Sequence, residues 1–93
     1  MKSIATISTP KASGYLQQLC KHFGHKVPAE FTPEAGRITF EMGVATLTAS
    51  DAVLTMQVEA DTPEQLERLE SVMGSHLERF AFRDELAVVW ARQ

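Results

Sequence analysis

Three histidines and one cysteine are the residues whose types could do chemistry in this 93-residue chain. Imidazole and thiolate are ligands that zinc, iron and copper accept, so Cys20, His22, His25 and His76 superficially resemble a transition-metal site. On a helix, at about 100° per residue, Cys20 and His22 point about 200° apart, whereas His22 and His25 converge if the helix continues past Gly24. We therefore predict His22, His25 and His76 as the metal ligands, with zinc or iron as the metal, and Cys20 as a small core residue.

The same residues also have a purely structural interpretation. A histidine in an apolar helical stripe, such as His76, is usually a neutral ring bonded to a carbonyl group, and histidines at a helix C-terminus favourably meet the negative end of the dipole. Catalysis by Cys20 with His22 would need the two side chains to face each other, which residues two apart on a helix do not. The chain has no Gly-rich phosphate loop, no GxSxG and no HExxH. We predict no catalytic residue, and a small metal- or Cys-dependent enzyme stays the alternative.

A second candidate site closes the second predicted helix. Arg79 and Arg83 are interleaved with Phe80 and Phe82, and this pattern can recognise an anionic or aromatic ligand by cation–π contact. The favoured interpretation is structural, with the phenyl rings in the core and the arginines at the negative helix end. If the pattern binds a ligand instead, Arg79 and Arg83 are the candidate cofactor-binding residues.

Hydrophobic periodicity predicts the elements that position these residues. Three-and-four spacing indicates two amphipathic helices, with Pro10 as the first residue of one and a capping box from Thr62 to Gln65 at the start of the other. Strict alternation indicates strands with one wet face. In chain order we predict a strand, a helix, a loop, three strands, a helix and a final strand, over residues 3–8, 10–23, 25–36, 37–42, 44–49, 53–60, 62–80 and 86–91.

This β-α-β-β-β-α-β order predicts an α+β two-layer sandwich, with both helices packed on one face of a mainly antiparallel sheet. The last predicted strand, residues 86–91, is apolar on both faces and includes Trp90. A strand of this kind is either central in the sheet or covered by another chain, so a homodimer through this strand and a buried central strand stay equal alternatives.

Composition sets the limits of the prediction. The chain is 44% hydrophobic with a net charge of −3, which describes one domain over residues 1–93 and leaves no room for a barrel or a full dinucleotide-binding fold. A single cysteine cannot close an intrachain disulfide, so we expect a cytoplasmic protein. We expect no membrane segment, since no apolar run approaches about 18 residues, and no nucleic-acid binding, since no Lys/Arg stripe is present.

Two long segments carry a family resemblance: LCKHFGHK from Leu19 to Lys26, and HLERFAFRDEL from His76 to Leu86. With Tyr15, Gly36 and Trp90 they closely resemble domain of unknown function 2218, and the likeness covers nearly the entire chain. Members of that family look like small bacterial proteins, or modules attached to or encoded near siderophore-interacting flavoproteins. Some relatives carry the label dihydroxyheptenedioate aldolase, but such aldolases are usually much larger barrels, and this chain offers no convincing lysine or metal–carboxylate site for that reaction.

The resemblance implies an iron-linked accessory role, with a siderophore-interacting flavoprotein or a small-molecule ligand as the partner. Together with the residues, it predicts a non-catalytic accessory or ligand-binding module. The expected site is a cleft between the three histidines and the loop from Pro28 to Gly36. A small enzyme and a dimeric protein-interaction domain stay the alternatives.

Overall fold

Six strands form one antiparallel sheet in the computed structural model, which describes residues 1–93. The strands are β1 (Lys2–Ser8), β2 (Ala29–Phe31), β3 (Ala35–Phe40), β4 (Gly43–Ala49), β5 (Val53–Glu59) and β6 (Ala91–Arg92). Their order across the sheet is β2-β3-β4-β5-β1-β6, and every neighbouring pair is antiparallel. The first strand of the chain therefore lies between the fifth strand and the last.

Two helices, α1 (Ala12–Phe23) and α2 (Pro63–Phe80), pack on one face of this sheet, as the α+β two-layer prediction requires. Helix α2 begins at the predicted position, where the Thr62 hydroxyl accepts a hydrogen bond from the Gln65 N–H at 3.2 Å; the return hydrogen bond to the Gln65 side chain, which the predicted capping box also needs, is not formed. Helix α1 begins at Ala12, two residues later than predicted. Thr9 and Pro10 lie in the turn that precedes the helix, where the Thr9 hydroxyl accepts a hydrogen bond from the backbone N–H of Lys11 at 3.1 Å.

The core lies between the helices and the sheet. Each helix turns its apolar stripe toward the strands, and each fully buried large side chain there stabilises the fold by about 1.5–3 kcal/mol. The opposite face of the sheet exposes Thr6, Thr46 and Thr48, which confirms the prediction of one wet face. The largest fully buried side chains are Leu16, Leu19, Ile38, Leu47, Leu54, Met56, Leu66, Leu69, Met73 and Leu77.

The predicted loop over residues 25–36 contains a short strand, which is a correction to the sequence analysis. In β2, Ala29 lies opposite Ile38 and Glu30 lies opposite Arg37. A strand of three residues is too short to show an alternation of apolar and polar side chains. Its pairing becomes visible only in the structure, where it covers the edge of β3.

The predicted last strand is mostly not a strand, and of its two alternatives the buried central strand is wrong, because β6 lies at the edge of the sheet. Only Ala91 and Arg92 pair with β1, while residues 86–90, here named the C-terminal strap, have no regular secondary structure and lie against α2. The backbone N–H of Val88 donates to the Glu78 carboxylate at 3.0 Å. The strap is apolar on its inner side because Leu86, Val88 and Trp90 pack against the core, whereas Val89 is 77% exposed. The homodimer stays a prediction, with Val89 as its outward side chain.

Close approach of the strap to α2 depends on Gly74, which is buried. A Cβ atom at Gly74 would lie 3.3 Å from the indole nitrogen of Trp90 and 3.6 Å from the Cβ of Val88. After the strap, the Arg92 guanidinium binds the Glu70 carboxylate through two hydrogen bonds of 3.0 and 3.2 Å. These hydrogen bonds hold the pKa of Glu70 below its usual value.

A buried tyrosine ties the two helices together at the other end of the strap. The Tyr15 hydroxyl donates to the carboxylate of Asp84, in the 3₁₀ turn Phe82–Asp84 that follows α2. The Lys11 ammonium lies 3.3 Å from the same carboxylate. Burial and the bound carboxylate raise the pKa of Tyr15 to about 12.

None of the helices combines the length and the apolar character that a membrane crossing requires.

Candidate functional site

Five aromatic rings from α1, β3 and α2 meet where the end of α1 approaches the C-terminal turns of α2. We name this group the imidazole–phenyl cluster. Its ring centroids are 5.0 Å apart for His22 and His76, 4.8 Å for Phe23 and His76, and 5.1 Å for Phe23 and Phe40. Phe80 completes the cluster at 5.5 Å from His22. Most of these pairs are edge-to-face or tilted, which is the geometry that the charge distribution of the rings favours.

The elements present these rings for different reasons. Phe23 ends the apolar stripe of α1, and Phe40 ends β3, so both are half-buried at the margin of the core. His76 is half-buried on α2, and His22 lies on the exposed side of the last turn of α1. The cluster therefore combines half-buried rings at the margin of the core with one exposed imidazole, that of His22.

One imidazole of the cluster has a fixed tautomer. The Nδ1 of His76 lies 2.7 Å from the carbonyl oxygen of Val72, one turn earlier in α2. A carbonyl only accepts, so Nδ1 carries the proton and donates it, and the Nε2 of the neutral ring keeps a free lone pair. The structural interpretation of His76 is therefore correct for one nitrogen and leaves the other free to bind.

The surroundings of the cluster are electropositive. Partial burial lowers the pKa of His22 first, and the neighbouring basic side chains of His76, His25, Lys26 and Arg79 lower it further. Neither Lys26 nor Arg79 belongs to the two ion pairs of the molecule, Lys11–Asp84 and Arg92–Glu70.

The basic character of this region is visible in the sequence. The first 29 residues carry four lysines and no carboxylate, whereas all twelve acidic residues lie from Glu30 onward. The fold then brings Arg79 of α2 to the same region, so a chain of net charge −3 presents a basic surface at the cluster. Such a surface attracts an anion.

The structure brings together two of the three predicted metal ligands. His22 and His76 are adjacent, while His25 follows α1 in the next turn and makes no ring contact with either. No group of three or more His, Cys, Asp or Glu side chains is arranged to hold a metal ion, so the predicted three-histidine geometry is not formed. Metal binding by these histidines stays a prediction.

The two predicted arginines are separated. Arg79 lies close enough to His22 for its charge to affect the pKa of that ring. Arg83 instead lies over the ring of Phe82, with its guanidinium carbon 5.6 Å from the centroid. Phe82 is 67% exposed, so its predicted place in the core is wrong. Only Arg79 belongs to the surroundings of the cluster.

Cys20 lies in the core, as predicted, with 1% of its surface exposed. Burial raises the pKa of its thiol, so it is protonated at neutral pH. Gly36 makes room for it, since a Cβ at that position would lie 2.7 Å from the sulfur.

The histidines of the cluster lie outside the clefts of the molecule, and Phe40 alone of the five rings lines one of them. None of the five clefts is lined by His22, His25 or His76, so the predicted cleft beside the loop is not formed. A cleft of about 340 Å³ lies between α2 and the strap, and its lining includes Glu67, Trp90 and Val88.

Fold and site together define a small α+β protein with a basic, ring-lined surface. The chain belongs to the family DUF2218, described as an uncharacterized protein conserved in bacteria, whose model matches residues 4–91. The family resemblance is thereby confirmed. The chain is also similar to the NMR structure of PA4090 from Pseudomonas aeruginosa, at 32% sequence identity over 97% of this chain and 94% of that chain, with a TM-score of 0.82. No curated protein matches this chain.

Proposed function

We propose that this protein is a non-catalytic accessory module that binds a small anionic aromatic ligand on the imidazole–phenyl cluster, in the iron and siderophore setting that the family resemblance implies. One observation carries the proposal: five rings from three elements meet where Lys26 and Arg79 lie without a carboxylate partner. Rings and positive charges together match a planar anion such as a catechol carboxylate.

The strength of such binding follows from the exposure of the groups. A ring contact contributes about 0.5–1.5 kcal/mol and an exposed charge pair at most about 1 kcal/mol, so a few contacts give a Kd on the order of a millimolar for a small probe. A natural ligand with several anionic rings would engage more of the surface and bind more tightly.

The environment of Cys20 supports a binding role over a nucleophilic enzyme. A thiol with a raised pKa in an apolar core offers little thiolate, and the substrate of a nucleophile must reach its sulfur. His22, the nearest histidine in sequence, is on the exposed side of the same helix.

A titration with 2,3-dihydroxybenzoate tests the proposal, with NMR signals of the histidine and phenylalanine rings as the readout. We expect saturable shifts at His22, Phe23 and His76, and smaller shifts with catechol, which has the ring without the carboxylate. Arg79→Gln and Lys26→Gln should each weaken the binding about threefold to fivefold, which corresponds to the loss of one exposed charge contact.

Arg68→Gln is the matched control, since Arg68 is an exposed arginine of α2 outside the cluster. It should leave the titration unchanged. Shifts that do not saturate, shifts centred away from the cluster, or an equal loss in Arg68→Gln would contradict the proposal.

A further inference from the structure

We infer that His22 and His76 together bind the metal ion of an anionic chelate complex, a first-row transition-metal ion whose chelator leaves two adjacent coordination positions open. Lys26 and Arg79 then neutralise the chelator. The inference rests on the proposed function for the charge of the ligand, and adds a direct bond from the protein to the metal.

The distance between the two rings fits one shared ion. An imidazole nitrogen binds such an ion at about 2 Å, which places the ion about 3.2 Å from the ring centroid; two rings at angles between octahedral and tetrahedral then lie about 4.5–5.2 Å apart. The centroids of His22 and His76 are 5.0 Å apart. The His22 ring is exposed and makes no hydrogen bond to the protein, so it is free to turn toward the shared ion.

The free nitrogens are the ones that metal binding needs. The hydrogen bond from His76 Nδ1 to the Val72 carbonyl fixes the ring and leaves the lone pair of Nε2 for a metal, and metal-binding histidines are commonly oriented by such a hydrogen bond from their other nitrogen. His76 is the one histidine whose ring is hydrogen-bonded to the protein, so both nitrogens of His22 are free for a ligand.

Charge decides what form of the metal binds. A bare divalent ion is repelled by the ammonium of Lys26 and the guanidinium of Arg79, neither of which is paired with a carboxylate. A chelate complex with a net negative charge is attracted by the same groups. The surface therefore selects the chelate complex over the free ion.

The binding step is a ligand substitution. Two water molecules leave the metal, two metal–nitrogen bonds form with neutral imidazoles, and the oxidation state of the metal does not change. Two imidazoles and a chelator with four donor atoms complete an octahedral ion.

Nickel nitrilotriacetate is a suitable probe, because it carries one negative charge and two open positions, and nickel iminodiacetate is its neutral counterpart. Calorimetric titration of the protein without a histidine tag should show one complex per chain. We expect His22→Phe and His76→Phe, which keep an aromatic ring in the cluster, each to weaken binding at least tenfold. The His25→Phe control should bind as the wild type does.

A second experiment tests separately whether positive charge selects the anionic chelate complex. The double variant Lys26→Gln, Arg79→Gln should weaken the binding of nickel nitrilotriacetate about fivefold or more and change that of nickel iminodiacetate by less than twofold. Amide spectra of each variant check that it is folded.

Wild-type affinity no higher than that of His76→Phe would overturn the inference, and so would an equal loss in His25→Phe. A double variant that weakens both complexes equally would overturn the selection by charge. If these results occur while 2,3-dihydroxybenzoate still shifts the ring signals, the proposed function stands and the metal bond alone is wrong.

Discussion

Packing of the C-terminal strap on α2 can be measured through Gly74 and Trp90. Replacing a glycine inside a helix by alanine normally stabilises a protein by about 0.5–1 kcal/mol, because glycine loses more backbone entropy on folding. At Gly74 the new methyl group would lie 3.3 Å from the indole nitrogen of Trp90 and 3.6 Å from Val88, closer to the indole than most Cβ contacts. The strap must then move by a few tenths of an ångström.

We expect these two effects to cancel in the wild type, so that Gly74→Ala changes the free energy of unfolding by less than about 0.5 kcal/mol. Trp90→Ala alone should cost about 1.5–3 kcal/mol, since the indole is half-buried. In the Trp90→Ala background the methyl group meets no indole, and Gly74→Ala should stabilise by about 1 kcal/mol. The coupling energy between the two changes is then about 0.5–1 kcal/mol.

Urea denaturation followed by circular dichroism gives all four free energies, because this readout does not depend on Trp90. Gly14→Ala is the control: Gly14 is an exposed glycine of α1 with nothing within 4 Å of an added Cβ. It should stabilise both backgrounds by about 0.5–1 kcal/mol. If Gly74→Ala stabilises the wild type as much as Gly14→Ala does, or has the same effect in both backgrounds, the strap is not packed as described.

Three further contacts give testable predictions. A methyl group on Gly43 would overlap the carbonyl oxygen of Glu59, so we expect Gly43→Ala to cost about 2–4 kcal/mol in urea denaturation; a cost under about 1 kcal/mol would show that the turn adjusts. The pKa of Tyr15 is raised from 10.0 to about 12, so its protonated hydroxyl stabilises the fold fully below pH 10, and this contribution is lost as the pH rises through 12. Tyr15→Phe should make the free energy of unfolding depend less on pH between 10 and 12, and the same pH dependence in the variant and the wild type would contradict this prediction. The pKa of Glu70 is lowered by Arg92, so Arg92→Gln should lower the urea midpoint at pH 7, and this effect should shrink as the pH falls through the lowered pKa and the carboxylate takes up a proton; an effect that stays constant into the acid range would count against the ion pair.

Much of the fold could be predicted because its signals are local. The stripe of α1, the capping residue of α2 and the alternation in β3, β4 and β5 each need only neighbouring residues to be read. The same signals correctly placed Cys20 in the core and predicted the hydrogen bond of His76 to a carbonyl group.

The candidate site was predicted only in part. Helical spacing allowed His22 and His25 to converge, but α1 ends at Phe23 and Gly24 is its C-cap, so the next turn carries His25 away from ring contact. The alternation in residues 37–42 predicted only that Phe40 lies on the apolar face of a strand. Its contact with Phe23 depends on where α1 crosses the sheet.

By itself, the sequence determined which faces are buried, the class of fold, and a first third of the chain without carboxylates. The tertiary structure alone decided the partners: the place of β1 between β5 and β6, the pairing of β2, the course of the strap beside Gly74, and the meeting of His22 with His76. The physical reason is that periodicity reports how much of a side chain is buried and not what buries it. Residues 86–90 are apolar on both faces in the sequence, and only the structure shows that the core and α2 cover one side of them, where a sheet or a second chain would fit the same pattern.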